Sequence, residues 1–109
     1  MFVAVNYITC REDYQERFEE LFRSRVGAID SMPGFVRMQV LRPRESGAER
    51  TAYLVVSEWD SETDFKRWTK SEAFEKGHRR GFADLKSARE TGEAPPMKSE
   101  FVTYDVITR

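Results

Sequence analysis

Three side chains in this sequence combine a type and a placement that could do chemistry: Asn6, Trp68 and His78, the last being the single histidine. Asn6 alternates with Phe2, Ala4 and Ile8 in an extended apolar run, so it points into an apolar layer, where an unpaired amide costs roughly 1–3 kcal/mol. An amide in that position either caps a backbone group or meets water, or it is a donor aimed at a ligand. Trp68, with Phe65 and Phe74, makes an aromatic stripe at helical spacing, which is core by default and a cofactor wall otherwise. His78 reads in two ways, as a half-exposed surface residue or as a ligand. Lys76, Arg79 and Arg80 around it form either a solvated helical face or a basic mouth for the carboxylates of a ligand whose iron or body reaches His78. In one unbroken helix Trp68 and His78 would stand about 80° apart, whereas a break near Lys70 or Ser71 could bring both to one pocket.

The elements that must position these residues follow from periodicity. Residues 2–9 are β-branched and aromatic and stop where Arg11, Glu12 and Asp13 begin, which predicts a strand. From 11 to 32, Tyr14, Phe18, Leu21, Phe22, Val26, Ile29 and Met32 recur at steps of three and four, predicting one amphipathic helix ended by Pro33 and Gly34. Phe35 to Leu41 reads as a strand with Val36, Met38 and Val40 on one face, Pro43 to Arg50 as a hairpin loop, and Ala52 to Trp59 as a third strand. Asp60 or Ser61 caps a helix carrying Phe65 and Trp68, and Ser71 caps a second segment carrying Phe74 and His78. Residues 89–97, with Gly92, Pro95 and Pro96, predict a mobile loop before a last strand from about 99 to 108.

The resulting order, β-α-β-β-α-β, is the α+β ferredoxin-like split βαβ arrangement, an antiparallel sheet with helices on one face. Val3, Val5 and Tyr7 leave the opposite face of the first strand apolar, as do Val102, Tyr104 and Val106 in the last. A second copy of the sheet is the simplest cover, which predicts a homodimer closed into a barrel.

Composition limits the function classes. A chain of 109 residues, 39% hydrophobic and 13% aromatic, fits a single folded domain over 1–109. Eighteen Lys and Arg against nineteen Asp and Glu leave a net charge of −1, with no bulk field for nucleic acid or an anionic membrane. Cys10 alone supplies no disulfide or cysteine-based zinc site. With no basic leader and no apolar run near the ~20 residues of a membrane span, the expected location is the cytoplasm.

Taken together, Asn6, the Trp68 of Phe-Lys-Arg-Trp and the His78 ten residues after it resemble the Asn/Trp/His set of the IsdG-type haem-degrading monooxygenases. These belong to the antibiotic biosynthesis monooxygenase superfamily of dimeric ferredoxin-like barrels. The resemblance spans nearly the whole chain, including Met-Pro-Gly-Phe at 32–35, Val-Val-Ser-Glu-Trp at 55–59, 65–68, 71–78 and Thr-Tyr-Asp-Val at 103–106. The Pro-Gly-Phe turn and Glu-Trp strand end support the fold; the Asn/Trp/His set points to haem. A departure is the Lys-Gly-His-Arg-Arg-Gly-Phe segment at 76–82, whose glycines are expected to loosen the helix that presents His78.

What the resemblance implies is an oxidoreductase that opens the porphyrin ring with dioxygen, releasing iron and a linear tetrapyrrole, with haem as both substrate and cofactor. His78 would ligate the iron proximally through Nε2, and Asn6 would sit distally, donating its amide hydrogens to dioxygen on the iron. Trp68 would press the porphyrin out of plane, and Phe65, Phe74 and Arg79 would complete the haem site. Electrons would come from an external donor, a reductase or small reductant, because nothing resembles a flavin or nicotinamide site. The rival readings are a cofactor-independent monooxygenase acting on an aromatic polyketide or quinol, and a non-catalytic haem carrier or sensor.

Overall fold

The computed structural model describes residues 1–24, 29–44 and 52–109. Four strands, β1 (Phe2–Cys10), β2 (Phe35–Leu41), β3 (Tyr53–Trp59) and β4 (Met97–Asp105), form one sheet in the order β2-β3-β1-β4. Every pair is antiparallel, and β1, the most apolar strand, lies between β3 and β4. Three helices, α1 (Gln15–Arg23), α2 (Glu62–Thr69) and α3 (Glu72–Glu90), cover one face, in the expected ferredoxin-like arrangement.

The single helix expected over 11–32 is shorter in the structure. A 3₁₀ turn (Glu12–Tyr14) leads into α1, which ends at Arg23, and a second 3₁₀ turn (Ile29–Ser31) precedes β2. Ser24 closes α1 because its hydroxyl and amide both donate to Glu20 O, and Arg80 of α3 donates to Leu21 O at 3.3 Å, so carbonyls of the last turn are satisfied from outside the helix. Val26 of the expected stripe and residues 45–50 of the expected hairpin loop lie outside the described residues.

Gly34 supplies the turn into β2 with φ +77°, and it lies so close under α2 that an added Cβ would stand 2.2 Å from Asp64 Oδ2. A bulge then changes the expected face of β2. Phe35 pairs with Trp59 but Arg37 pairs with Glu58, so Val36 is the extra residue and is exposed, and Phe35 joins Met38 and Val40 on the helix side.

Trp68 and His78 lie on separate helices. Lys70 ends α2, and Ser71 starts α3 by accepting a hydrogen bond from Phe74 N at 3.1 Å. The glycines of 76–82 do not interrupt α3, which runs on to Glu90 and so takes residues 89 and 90 from the expected loop. Its end is a Schellman motif: Glu93 N donates to Ala88 O at 2.9 Å, Gly92 N donates to Arg89 O, and Gly92 takes φ +75°. The connection to β4 is then tied to Arg11, whose backbone N donates to Pro96 O and whose Nη1 donates to Ala94 O, both at 2.9 Å.

The last strand runs over Met97–Asp105 instead of 99–108. Val106 leaves the ladder, its N–H donating to Met1 O at 3.1 Å, and Arg109 turns back to Glu58. On the sheet face away from the helices Val3, Val5 and Tyr7 face outward as expected. Among them lies a buried charge the apolar pattern did not announce: Glu58, 4% exposed. Arg109 Nη2 donates to its Oε1 at 2.6 Å, and Arg37 Nε lies 2.9 Å from Oε2 as an ion pair.

The helix-side core is divided. One cluster gathers Phe2, Ala4, Ile29, Phe65 and Trp68 around the fully buried Trp59; the other gathers Ile8, Tyr14, Leu21 and Tyr53 around Phe18. Between them, at Asn6, the packing opens.

Candidate active site

Asn6 stands on β1 between Ala4 of the first cluster and Ile8 of the second, opposite Val55 on β3 and Phe101 on β4. It therefore faces the helices, as its alternation with Phe2, Ala4 and Ile8 predicts. Its Oδ1 is buried and has no hydrogen-bond partner among the described residues. The carboxamide borders a cavity of about 390 Å³, within the usual range for small-molecule sites. The sheet contributes Ala4, Met38, Ser57 and Phe101 to its lining, α1 contributes Phe18 and Leu21, α2 contributes Phe65 and Trp68, and α3 contributes Phe74, His78 and Phe82.

Trp68 belongs to the buried core, as its spacing predicts by default, and one side of it also lines the cavity. It is 9% exposed and packs against Trp59 with ring centroids 5.5 Å apart, against Phe65 at 6.0 Å and edge-on against Phe74 at 4.8 Å. Behind it Trp59 is itself fixed, donating from Nε1 to Ser57 Oγ at 3.0 Å. A wall braced in this way yields little to a ligand pressed against it.

The break between α2 and α3 brings His78 to Trp68, with ring centroids 5.9 Å apart. His78 Nδ1 lies 2.8 Å from Phe74 O, one turn earlier. A carbonyl only accepts, so Nδ1 carries a proton, and in the neutral imidazole the lone pair then lies on Nε2. This is the tautomer a metal-ligating imidazole takes when its other nitrogen donates to a backbone carbonyl. Among the described residues no group of three His, Cys, Asp or Glu is placed to hold a bare metal ion. A lone imidazole suits a metal that arrives with its other ligands, as iron in a porphyrin does.

α3 is held against the rest of the fold by polar contacts on its far side. Tyr14 Oη donates to Asp84 Oδ2 at 2.7 Å, and Arg17 Nε donates to the same oxygen at 3.1 Å. Burial opposes the Asp84 charge, but these two donors prevail and hold its carboxyl below the ordinary range; burial and Asp84 together push the Tyr14 phenol up.

The basic residues expected at the mouth have other partners. Arg79 does not line the cavity, and its guanidinium lies 3.8 Å from Glu75 on the exposed side of α3. Lys76 pairs with Glu72 at 3.2 Å, and Arg80 spans to the end of α1. The rim is aromatic instead: Phe82 and Phe101 are 52% and 53% exposed although both line the cavity. Two signals could have found them, since Phe82 lies one helical turn after His78 and Phe101 shares the helix-side parity of β4.

Among the described residues no helix is long and apolar enough to cross a membrane. Residues 1–80 match the antibiotic biosynthesis monooxygenase family. A heme oxygenase (staphylobilin-producing) of Staphylococcus epidermidis is 31% identical over 108 residues, covering 99% of this chain and 95% of its own. Among solved structures, the heme-degrader MhuD of Mycobacterium tuberculosis, with two hemes bound in its active site, superposes with a TM-score of 0.70 at 24% identity, covering 100% of this chain and 98% of that one. SnoaB, a cofactor-independent oxygenase from Streptomyces nogalater, superposes nearly as well, with a TM-score of 0.68 at 20% identity over 99% of this chain and 94% of its own. The fold is thus common to an oxygenase that binds haem and to one that is cofactor-independent. The chain belongs to the antibiotic biosynthesis monooxygenase family and, within it, to the IsdG-type branch.

Proposed function

We propose that this protein is a haem-degrading monooxygenase whose substrate occupies the cavity between the two core clusters. The observation that carries this reading is the placement, on one apolar cavity, of the Asn6 carboxamide, whose Nδ2 is the group able to donate, and of an imidazole whose Nδ1 proton is held by the Phe74 carbonyl. The cofactor-independent reading gives no role to that tautomer.

When bound, haem supplies the iron that activates dioxygen and the macrocycle that is oxidised, with electrons from an external donor. The chain's own residues do the rest. His78 presents Nε2 with the ring orientation set by the Phe74 carbonyl. Asn6 offers a fixed amide from a strand held on both edges, so a hydrogen bond to an oxygen acquiring negative charge costs little reorganisation. Phe65, Trp68 and Phe74 give a planar apolar substrate a rigid wall and exclude water from it. Among the described lining residues the polar side chains are few, Asn6, Ser57, Thr69, His78 and Ser99, which suits a ligand that is mostly hydrocarbon.

The test is to add hemin to the purified protein and follow the Soret band, then supply ascorbate or a reductase system in air. Expected are saturable binding, reductant-dependent loss of the band and release of iron. Saturable binding without ring loss would make the protein a carrier; no saturable binding would favour the organic-substrate oxygenase.

The proposal includes a homodimer joined through the outer sheet face, where Leu54, Val56, Val102 and the 46%-exposed Tyr104 surround Val5. Tyr7 and Tyr104 hydroxyls meet there at 3.2 Å. Val5→Lys would set a charge in that face, where burying it unpaired is costly. Sedimentation should give a dimer for the wild type and monomer or aggregate for the variant; a monomeric wild type at micromolar concentration removes the barrel.

A further inference from the structure

We propose that Phe82 is a positioning residue that fixes the plane of the His78 imidazole, an inference that rests on reading His78 as the residue that meets haem iron. Phe74, His78 and Phe82 follow one another at steps of four along α3, so their side chains rise in one stripe. Their rings form a column. The Phe74 and His78 rings lie 3.9 Å apart at 24°, and the His78 and Phe82 rings 5.6 Å apart at 27°. Phe74 stands one turn before the imidazole and Phe82 one turn after, so the imidazole lies between two phenyl rings.

The two ends of the column differ. Phe74 is anchored edge-on against Trp68, which belongs to the buried cluster. Phe82 is 52% exposed and belongs to neither core cluster, and among the described residues its ring contact is with His78. Half of an aromatic side chain left in water at the rim of a cavity is poorly explained by packing. It is well explained by what it holds.

The terminal torsion of histidine is broad. The Phe74 carbonyl restrains it at Nδ1, the Phe74 ring packs on one face, and the Phe82 ring packs on the other. With Phe82 in place the direction of the Nε2 lone pair is set before any ligand arrives, and pre-organisation of this kind appears as affinity and as a single ligation geometry.

The experiment compares Phe82→Leu, which keeps apolar bulk without a ring, with Phe82→Tyr, which keeps the ring. Because His78 is the single histidine, its carbon-bound ring protons are unambiguous in a proton–carbon correlation spectrum of the ligand-free protein. In the wild type and Phe82→Tyr these resonances should be shielded by ring currents, and in Phe82→Leu they should move downfield. On hemin titration Phe82→Leu should bind roughly three- to tenfold more weakly, the range of one aromatic pair, with Phe82→Tyr restoring wild-type affinity. The paramagnetic resonance spectrum of the ferric complex, which reports the axial imidazole plane, should broaden in Phe82→Leu and not in Phe82→Tyr.

Unmoved imidazole resonances in Phe82→Leu overturn the proposal. So does weakened hemin binding with an unchanged ferric spectrum, which would make Phe82 a direct wall contact. Should the wild type fail to bind hemin, the proposed function falls, and the ligand-free spectra still decide whether Phe82 orients His78.

Discussion

Two buried polar groups sit on opposite faces of the same sheet, and they are treated differently. On the outer face the Glu58 carboxylate is 4% exposed; Arg109 donates to its Oε1, and its Oε2 has no hydrogen-bond partner among the described residues but faces Arg37 as an ion pair at 2.9 Å, so its charge is countered. On the helix face the Asn6 carboxamide carries a buried oxygen that no described residue satisfies, beside a cavity. Burial with partners marks a structural device, because folding itself returns the desolvation cost. Asn6 has no opposite charge or hydrogen bond from a described residue at its buried oxygen and stands at a cavity, so its partner is a water or a ligand.

The largest expected effect separates the two in a single variant. Asn6→Ala should retain hemin and lose degradation by roughly a hundredfold or more, the scale for removing one donor from a polarised oxygen. The same substitution removes a buried amide oxygen without a partner among the described residues, so the ligand-free melting temperature should stay level or rise. A marked fall in melting temperature with turnover per folded molecule intact would place Asn6 with Glu58 among the structural groups.

The converse variant leaves Glu58 buried without its cations. Arg37→Ala combined with Arg109→Ala should cost about 2 to 3 kcal/mol, the low side for an uncompensated buried carboxylate because both arginines come from the exposed rim where water can replace them. Calorimetry should show a fall of roughly 10 °C, with degradation per folded molecule unchanged. A rate loss larger than the stability loss would mean that the outer face acts on the cavity.

A smaller effect belongs to Glu19 of α1, whose carboxylate accepts hydrogen bonds from Arg42 and Tyr53 and is held by them down to about 2 from 4.5. Its folded-state value is depressed, so between these values the unfolded chain binds the extra proton. The stabilisation is complete above about pH 4.5 and drains away as pH falls toward about 2. Melting curves across that window should fall less steeply for Glu19→Gln than for the wild type, and equal slopes would remove Glu19 from the account.

The fold was legible where periodicity and caps agree. Strand alternation set the helix side of β1, Pro33-Gly34 marked the turn into β2, and Ser61 and Ser71 marked the two helix starts that bring Trp68 to His78. What escaped depends on contacts between distant segments. The bulge at Val36 is a register event across β2 and β3; the last turn of α1 receives a hydrogen bond from Arg80 of α3; and Gly81 of α3 faces Met97 and Leu21. Charge misled most at the cavity mouth. Sequence proximity gathered Lys76, Arg79 and Arg80 around His78, but helical geometry gives them Glu72, Glu75 and the end of α1, and the rim passes to Phe82 and Phe101. Glu58 escaped altogether, because an apolar strand pattern does not show that two arginines will meet a carboxylate within it.

The central claim is that the space between the two core clusters takes haem through His78, and a thermal melt with and without hemin tests it most directly. A ligand that binds the native state alone adds RT ln(1 + [L]/Kd), roughly 2.7 kcal/mol at a hundredfold excess over Kd. For a domain of this size that raises the melting temperature by roughly 10 °C. The account predicts this rise in the wild type at neutral pH and its near-complete loss in His78→Ala, whose fold stays intact because His78 belongs to neither buried cluster. No rise in the wild type, or an equal rise in His78→Ala, would contradict it.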